Sequence, residues 1–285
     1  MDPEGCKYPQ SKARASARVL LQRRQIAFPP ALMHSRSNFL RRIGRKLFWS
    51  SPALYRQFGL LRNRGDCFAN DFDLWIDGYP RSANTFAVEA FTLANPTARI
   101  RSHRHIPTFI IQALKLRKPG IFLLRRPEDA AISWAIFWDD RLDRCLDYYI
   151  DFHKVLGRYA PQLFIATFEE VTTRFDSLIG EFNQQFGTQY ATVPHDEKTV
   201  ADCFVRIERD YPKVPGGVNE MRVCRPSEQR SPRQAKLREM LRNSPALVEK
   251  LARAEEYYRL FVNHETGFRR PQAKSLVASN QQMAS

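Results

Sequence analysis

From Gly5 to Gly65 the chain contains no aspartate or glutamate. Residues 1–70 carry 14 basic and three acidic side chains, so +11 of the formal net charge of +15 sits in the first quarter of the sequence. The remainder is only mildly basic, and the high isoelectric point does not make it a nucleic-acid binder. Long apolar runs are missing as well. None approaches the about 18 residues needed to cross a bilayer, and Val19-Leu20-Leu21 is too short for the apolar core of a secretory signal. The five cysteines (Cys6, Cys67, Cys145, Cys203, Cys224) are scattered with no C-x-x-C pair. That argues against a disulfide framework or a zinc site and fits a reducing compartment. The cytoplasm, with peripheral attachment to a membrane surface as an option, is the expected location. Clustered carboxylates at metal-ligand spacing are also lacking, so no metal is expected.

What is present suffices for a folded body. Over 285 residues, 43% are hydrophobic and 26% charged, which excludes wholesale disorder and allows one large α/β domain. Residues 1–35 read as a flexible basic extension, acid-poor like a transit peptide and broken by Pro29-Pro30. In 36–70, Phe39, Leu40, Ile43, Leu47 and Phe48 recur at helical spacing among Arg41, Arg42, Arg45 and Lys46. Such a helix either packs on the domain with a solvated basic face or lies on anionic lipid through residues 36–50. The main domain is expected over 71–269, followed by a polar tail over 270–285.

Within that domain, Phe72–Asp77 reads as a strand ending at Gly78, Ile121–Leu124 as a strand buried on both faces, and Leu163–Phe168 as another. Helices are predicted over 87–93, 130–137, from Val171 through Phe182, and over 233–242 and 245–261, the last with Pro245 at its start. Strands alternating with helices predict a central parallel sheet flanked by helices, a P-loop-like three-layer sandwich with a helical C-terminal part.

The segment Asp77-Gly78-Tyr79-Pro80-Arg81-Ser82-Ala83-Asn84-Thr85-Phe86 carries the most information. A strand, a tight turn and a helix start gather unpaired backbone N–H groups and the positive end of the helix dipole, which favours an anion. Arg81, Ser82, Asn84 and Thr85 add a cation and short donors. A Walker A loop needs a second glycine and a Lys-Ser/Thr pair, and neither is here. A second basic strand end follows at Arg125-Arg126-Pro127-Glu128-Asp129, with Ser133 on the next helix and able to return towards the same pocket. Taken alone, Arg125 reads as a solvent-facing arginine.

Together the two segments resemble the sulfotransferases that use 3′-phosphoadenosine-5′-phosphosulfate (PAPS). The family's first loop has the form Y-P-[KR]-S-G-[TN]-T-[WF], which Tyr79–Phe86 follows with Ala83 at the glycine position. Its second motif, R-x-P-x-D-x-x-x-S, is matched from Arg125 to Ser133 at all four defined positions. The resemblance covers residues 72–186 and weakens towards 261. It implies that Arg81, Ser82, Ala83, Asn84, Thr85 and Phe86 bind the 5′-phosphosulfate, that Arg125 and Ser133 bind the 3′-phosphate, and that Phe168, in the place of the family's tyrosine, stacks on the adenine. Arg101-Ser102-His103 is similar to the family's K-[TS]-H and implies His103 as the base that takes the acceptor's proton, a task suited to an imidazole near neutrality. His105, two residues on, is the alternative.

Two departures bear on mechanism. An arginine at position 81 holds charge bidentately but does not give up its proton. The family's C-terminal loop that closes over the 3′-phosphate has no clear copy. Arg222, Arg225 and Arg230 are its possible substitutes, although a solvated loop is the simpler reading. The implied activity is sulfuryl transfer to a hydroxyl or amine of a small-molecule, carbohydrate or lipid acceptor. Trp134, Phe137 and Trp138 either line the acceptor pocket or, as is commoner for aromatics at helical spacing, belong to the core. The competing functions are a P-loop-like kinase using ATP and magnesium, and an inactive basic adaptor for membranes or nucleic acid.

Overall fold

A computed structural model describes residues 71–209, 213–214 and 217–268, together with Trp49, Ser51, Ala53 and Gln57. The expected basic extension, most of the basic helical segment and the C-terminal tail lie outside the described residues.

The order of elements is β1 (Leu74–Gly78), α1 (Asn84–Ala94), β2 (Ile100–Ser102), α2 (Pro107–Lys115), β3 (Gly120–Leu124), α3 (Pro127–Trp138), α4 (Leu142–Leu156), a 3₁₀ turn (Gly157–Gln162) and β4 (Phe164–Thr167). Then come α5 (Phe168–Thr173), α6 (Phe175–Phe186), α7 (Glu197–Arg209), a two-stranded ribbon of β5 (Lys213–Val214) and β6 (Gly217–Val218), a 3₁₀ turn (Glu228–Arg230), α8 (Ser231–Asn243) and α9 (Pro245–Phe268). The four longer strands form one sheet in the order β2-β1-β3-β4, and all three pairings are parallel.

The three-layer arrangement follows from the period-two alternation of strands whose two faces are both covered. Trp75, Phe122, Leu124 and Ile165 face one way, into a core shared with α2, α3, α4 and α9. Leu74, Ile76, Ile121, Leu123, Phe164 and Ala166 face the other way, onto α1, α6 and α7. The expected central parallel sheet with helices on both faces and a helical C-terminal part is therefore the fold observed.

Strands β1 and β3 approach closely because both carry glycine. A Cβ on Gly78 would lie 2.1 Å from the Leu123 carbonyl oxygen, and one on Gly120 would lie 1.9 Å from the Trp75 ring. The chain leaves β1 towards β2 on one side and β3 towards β4 on the other. The crevice at the carboxyl ends of β1 and β3 is thus the switch point of the sheet, where open α/β folds bind ligands.

Several local readings change. The helix expected from Val171 through Phe182 is two helices, separated at Arg174, whose φ of −148° and ψ of 41° are not helical. The first is begun by a capping box in which Thr167 and Glu170 satisfy one another's backbone N–H groups. Strand β2 and helices α2, α4 and α7 lie outside the sequence expectations. Helix α4 nevertheless has a legible amphipathic pattern in Leu142, Cys145, Leu146, Tyr149 and Phe152, all buried.

Upstream of residue 71, Trp49 is fully buried. Its ring meets Tyr148 edge-on at 4.7 Å and Phe152 at 6.2 Å, and its carbonyl accepts a hydrogen bond from the Thr108 hydroxyl at 2.8 Å. The core therefore uses a residue from before the segment expected to hold it.

Candidate anion-binding site

The Tyr79–Thr85 loop leaves β1 at the switch point and is fastened from below. Tyr79 is fully buried, its hydroxyl donating to the Cys145 carbonyl at 2.8 Å and its ring packed against Tyr149 and Trp134. Asn84 returns its side-chain N–H to the Tyr79 carbonyl at 3.2 Å. Arg81 and Ala83 take the left-handed backbone conformation, with φ 68° and 65°. Non-glycine residues pay about 1 kcal/mol for that and hold it only where surrounding structure imposes it. Ala83 caps α1 without a side-chain hydrogen bond, leaving the first N–H groups of that helix for other partners. Two buried polar atoms of the loop, Ser82 Oγ and Asn84 Oδ1, have no hydrogen-bond partner.

The structure brings Arg81, Arg125 and Ser133 together. Arg81 Nε donates to Ser133 Oγ at 3.1 Å, and Arg125 Nη1 donates to the Arg81 carbonyl at 2.8 Å. Tyr149 supports the second strand end, its hydroxyl donating to the Arg125 carbonyl at 2.8 Å. The Arg125 guanidinium lies over the Phe168 ring at 3.9 Å and that of Arg81 over the Phe137 ring at 4.5 Å, so each cation rests on an aromatic face.

Arg230 completes the group. The segment that reads most simply as a solvated loop divides three ways: Arg222 is exposed, Arg225 pairs with Glu208 and Glu220, and Arg230 is only 6% exposed. Arg230 donates to the carbonyls of Val223 and Arg225, and its Nε has no partner. The corrected position has a packing cause. Val223 is fully buried in the core, which draws its neighbours down beside Arg81, whose guanidinium donates to Cys224 Sγ and the Val223 carbonyl.

The electrostatics are those of a cationic cluster. Burial pushes Arg125 down to about 10, with Arg81 and Arg230 adding to the effect against Asp129 and Glu169. Burial and then Arg81 lower Arg230 in the same way. Among the described residues, none of the three guanidinium groups hydrogen-bonds a carboxylate; their acceptors are a hydroxyl, a thiol and backbone carbonyls. Three like charges share a partly desolvated place, and the carboxylates acting on them, Asp129 and Glu169 on Arg125 and Glu220 on Arg230, do so without a direct hydrogen bond among the described residues.

The two histidines differ in their partners. His103 Nε2 lies 3.1 Å from Thr85 Oγ1 and its Nδ1 2.8 Å from Ser102 Oγ, so His103 is hydrogen-bonded to the anion loop. His105 Nδ1 is instead taken up by the Gly78 carbonyl at 2.8 Å and by Asp77 at 3.2 Å. Burial raises the Asp77 carboxyl, but His105, the Gly78 N–H and His103 together hold it below the usual range. Phe86 turns away from the loop into the packing between α1 and α7, near Phe204 and His195, so it joins the loop by its backbone alone. The aromatic trio also divides: Trp134 is buried on Tyr79 and Tyr148, Phe137 lies under Arg81, and Trp138 is half exposed.

Among the described residues, no group of three or more His, Cys, Asp or Glu side chains is placed to hold a metal ion, and no helix is long and apolar enough to cross a membrane. Comparison of the chain with protein-family models, with curated proteins and with solved structures found no match.

Proposed function

We propose that the chain is a sulfotransferase that moves a sulfuryl group from PAPS to a hydroxyl or amine acceptor. The observation that carries the reading is the convergence of Arg81, Arg125 and Arg230 at the switch point with no carboxylate among their hydrogen-bond partners in the described residues. A ligand with two separate phosphate groups supplies the counter-charge these cations lack. The orphaned polar atoms of Ser82 and Asn84 are consistent with a loop that takes further bonds from a ligand.

In this reading Arg81, the α1 N-terminus and the 82–85 segment face the 5′-phosphosulfate, while Arg125, Ser133 and Arg230 face the 3′-phosphate. Phe168, under the Arg125 guanidinium, offers an aromatic face to adenine. The acceptor oxygen or nitrogen forms a bond to sulfur as the bond from sulfur to the bridging phosphate oxygen breaks, and the acceptor's proton passes to His103. Arg81 stabilises the negative charge that develops on the departing phosphate and stays protonated throughout. The work of the protein is positioning and charge stabilisation, as in phosphoryl transfer.

Calorimetric titration with adenosine 3′,5′-bisphosphate, beside ADP and anionic vesicles, tests the proposal. Selective binding of the bisphosphate is the expected result. Preference for ADP favours a kinase, and binding of vesicles alone an adaptor; either overturns the proposal.

A further inference from the structure

The segment between β2 and α2 holds a conformation that its own sequence does not favour. His103 and His105 both have positive φ, 55° and 52°, a region uncommon for any residue but glycine, although histidine enters it more readily than most. Two strained residues one apart need external fastening.

The fastening comes from two residues on other elements. Asp77, at the end of β1, is fully buried. Its carboxylate accepts the backbone N–H of Arg104 at 2.7 Å, that of His105 at 3.2 Å and that of Gly78 at 2.8 Å, besides facing His105 Nδ1. From the opposite side, Tyr148 on α4 donates its hydroxyl to the His105 carbonyl at 2.8 Å. Its ring is wedged between Trp49 and Trp134, each at 4.7 Å. A fully buried carboxylate is costly unless its lone pairs are all used, and here they are used on the turn that carries His103.

We infer that Asp77, seconded by Tyr148, is a positioning residue that aims the His103 imidazole at Thr85 and hence at the anion loop. Asp77 holds the backbone N–H groups of Arg104 and His105, on the far side of His103, and the left-handed turn then sets where the ring points. Describing His103 as the proton acceptor rests on the sulfotransferase reading, whereas the aiming itself is a property of the fold. A neutral amide at position 77 presents an N–H to backbone N–H groups in place of one acceptor oxygen, so the turn loses part of its hold.

The test is the side-chain NMR spectrum of ¹⁵N-histidine-labelled full-length protein, with the His103 signals assigned through His103→Gln. Asp77→Asn and Tyr148→Phe are each expected to replace the wild-type His103 tautomer pattern, set by its Ser102 and Thr85 partners, with averaged shifts, while both variants keep a native fold. The dissociation constant for adenosine 3′,5′-bisphosphate is expected to stay within about threefold of wild type, because Arg81 and Arg125 are held separately. Unchanged His103 signals in a folded Asp77→Asn protein overturn the inference. Should that variant fail to fold, Tyr148→Phe decides by the same criterion. Failure of the wild type to bind the bisphosphate would sink the sulfotransferase proposal and leave this readout intact.

Discussion

Arg125 donates a hydrogen bond to the backbone carbonyl of Arg81 across 2.8 Å, so two like-charged residues from adjacent strand ends are tied together by main chain and not by a shared counter-ion. The tie holds each guanidinium where its positive charge raises the cost of the other.

Removing either cation is expected to weaken bisphosphate binding far more than it weakens the fold. A charge-assisted contact contributes roughly 1.5–3 kcal/mol, which is about 10- to 100-fold in dissociation constant. Titration of Arg81→Ala and Arg125→Ala should show losses in that range, with melting temperatures near wild type. Wild-type affinity in Arg81→Ala would remove the basis of the assignment.

Arg230 gives a sharper version. Arg230→Met keeps much of the side-chain volume and removes the charge that Arg81 and Arg125 feel. Bisphosphate affinity should fall by about tenfold, and the dependence of binding on salt should become shallower as one cation leaves the site. An unaltered salt slope would place Arg230 outside it.

Ala83 separates backbone strain from side-chain chemistry. At φ 65° a glycine relieves strain of about 1 kcal/mol, less the entropy it adds to the unfolded chain. Ala83→Gly should therefore be neutral to slightly stabilising in denaturant titration and leave bisphosphate binding intact. Ala83→Val should destabilise by more than about 1 kcal/mol, because a β-branched residue resists the left-handed region.

His153 is expected to dominate the response to mild acid. It is fully buried, its Nδ1 donates to the Tyr149 carbonyl at 2.9 Å, and burial pushes it down to about 3. Between that value and the unfolded value near 6.5 the unfolded chain binds the extra proton, so stability falls as the pH drops through this window. At pH 5 the loss is roughly 2 kcal/mol. Equilibrium unfolding from pH 7 to pH 5 should show that decline in the wild type and a flatter profile in His153→Phe.

Trp49 tests where the folded body begins. Truncating a fully buried tryptophan costs about 3–5 kcal/mol, so Trp49→Ala should lower the unfolding midpoint markedly. A change within error would mean that the core does not depend on residues before 71.

The three-layer architecture and the place of the Tyr79–Thr85 loop between a strand and a helix are legible in the sequence because both rest on local signals. Runs such as Ile121–Leu124 announce strands covered on both faces, and Tyr79–Thr85 combines a strand end, a turn and a helix start. Helix α4 was less legible, since charged residues dilute its apolar stripe. Its tyrosines matter through contacts with His105 and Arg125, which lie 43 and 24 residues away in the chain. Arg230 was harder still, because nothing next to it in sequence marks it as different from Arg222 or Arg225.

The linear order of residues determined the strands β1, β3 and β4, the helices that follow the first two, the C-terminal helices, and the short stretches that concentrate cations and hydroxyls. Those outcomes depend on side chains a few positions apart. Only packing decided that Val223 would sink into the core and carry Arg230 beside Arg81, that Trp49 would close over Tyr148, and that Asp77 would grip the turn bearing His103. Each is a contact between distant parts of the chain, and its geometry exists once the sheet has set β1 and β3 side by side.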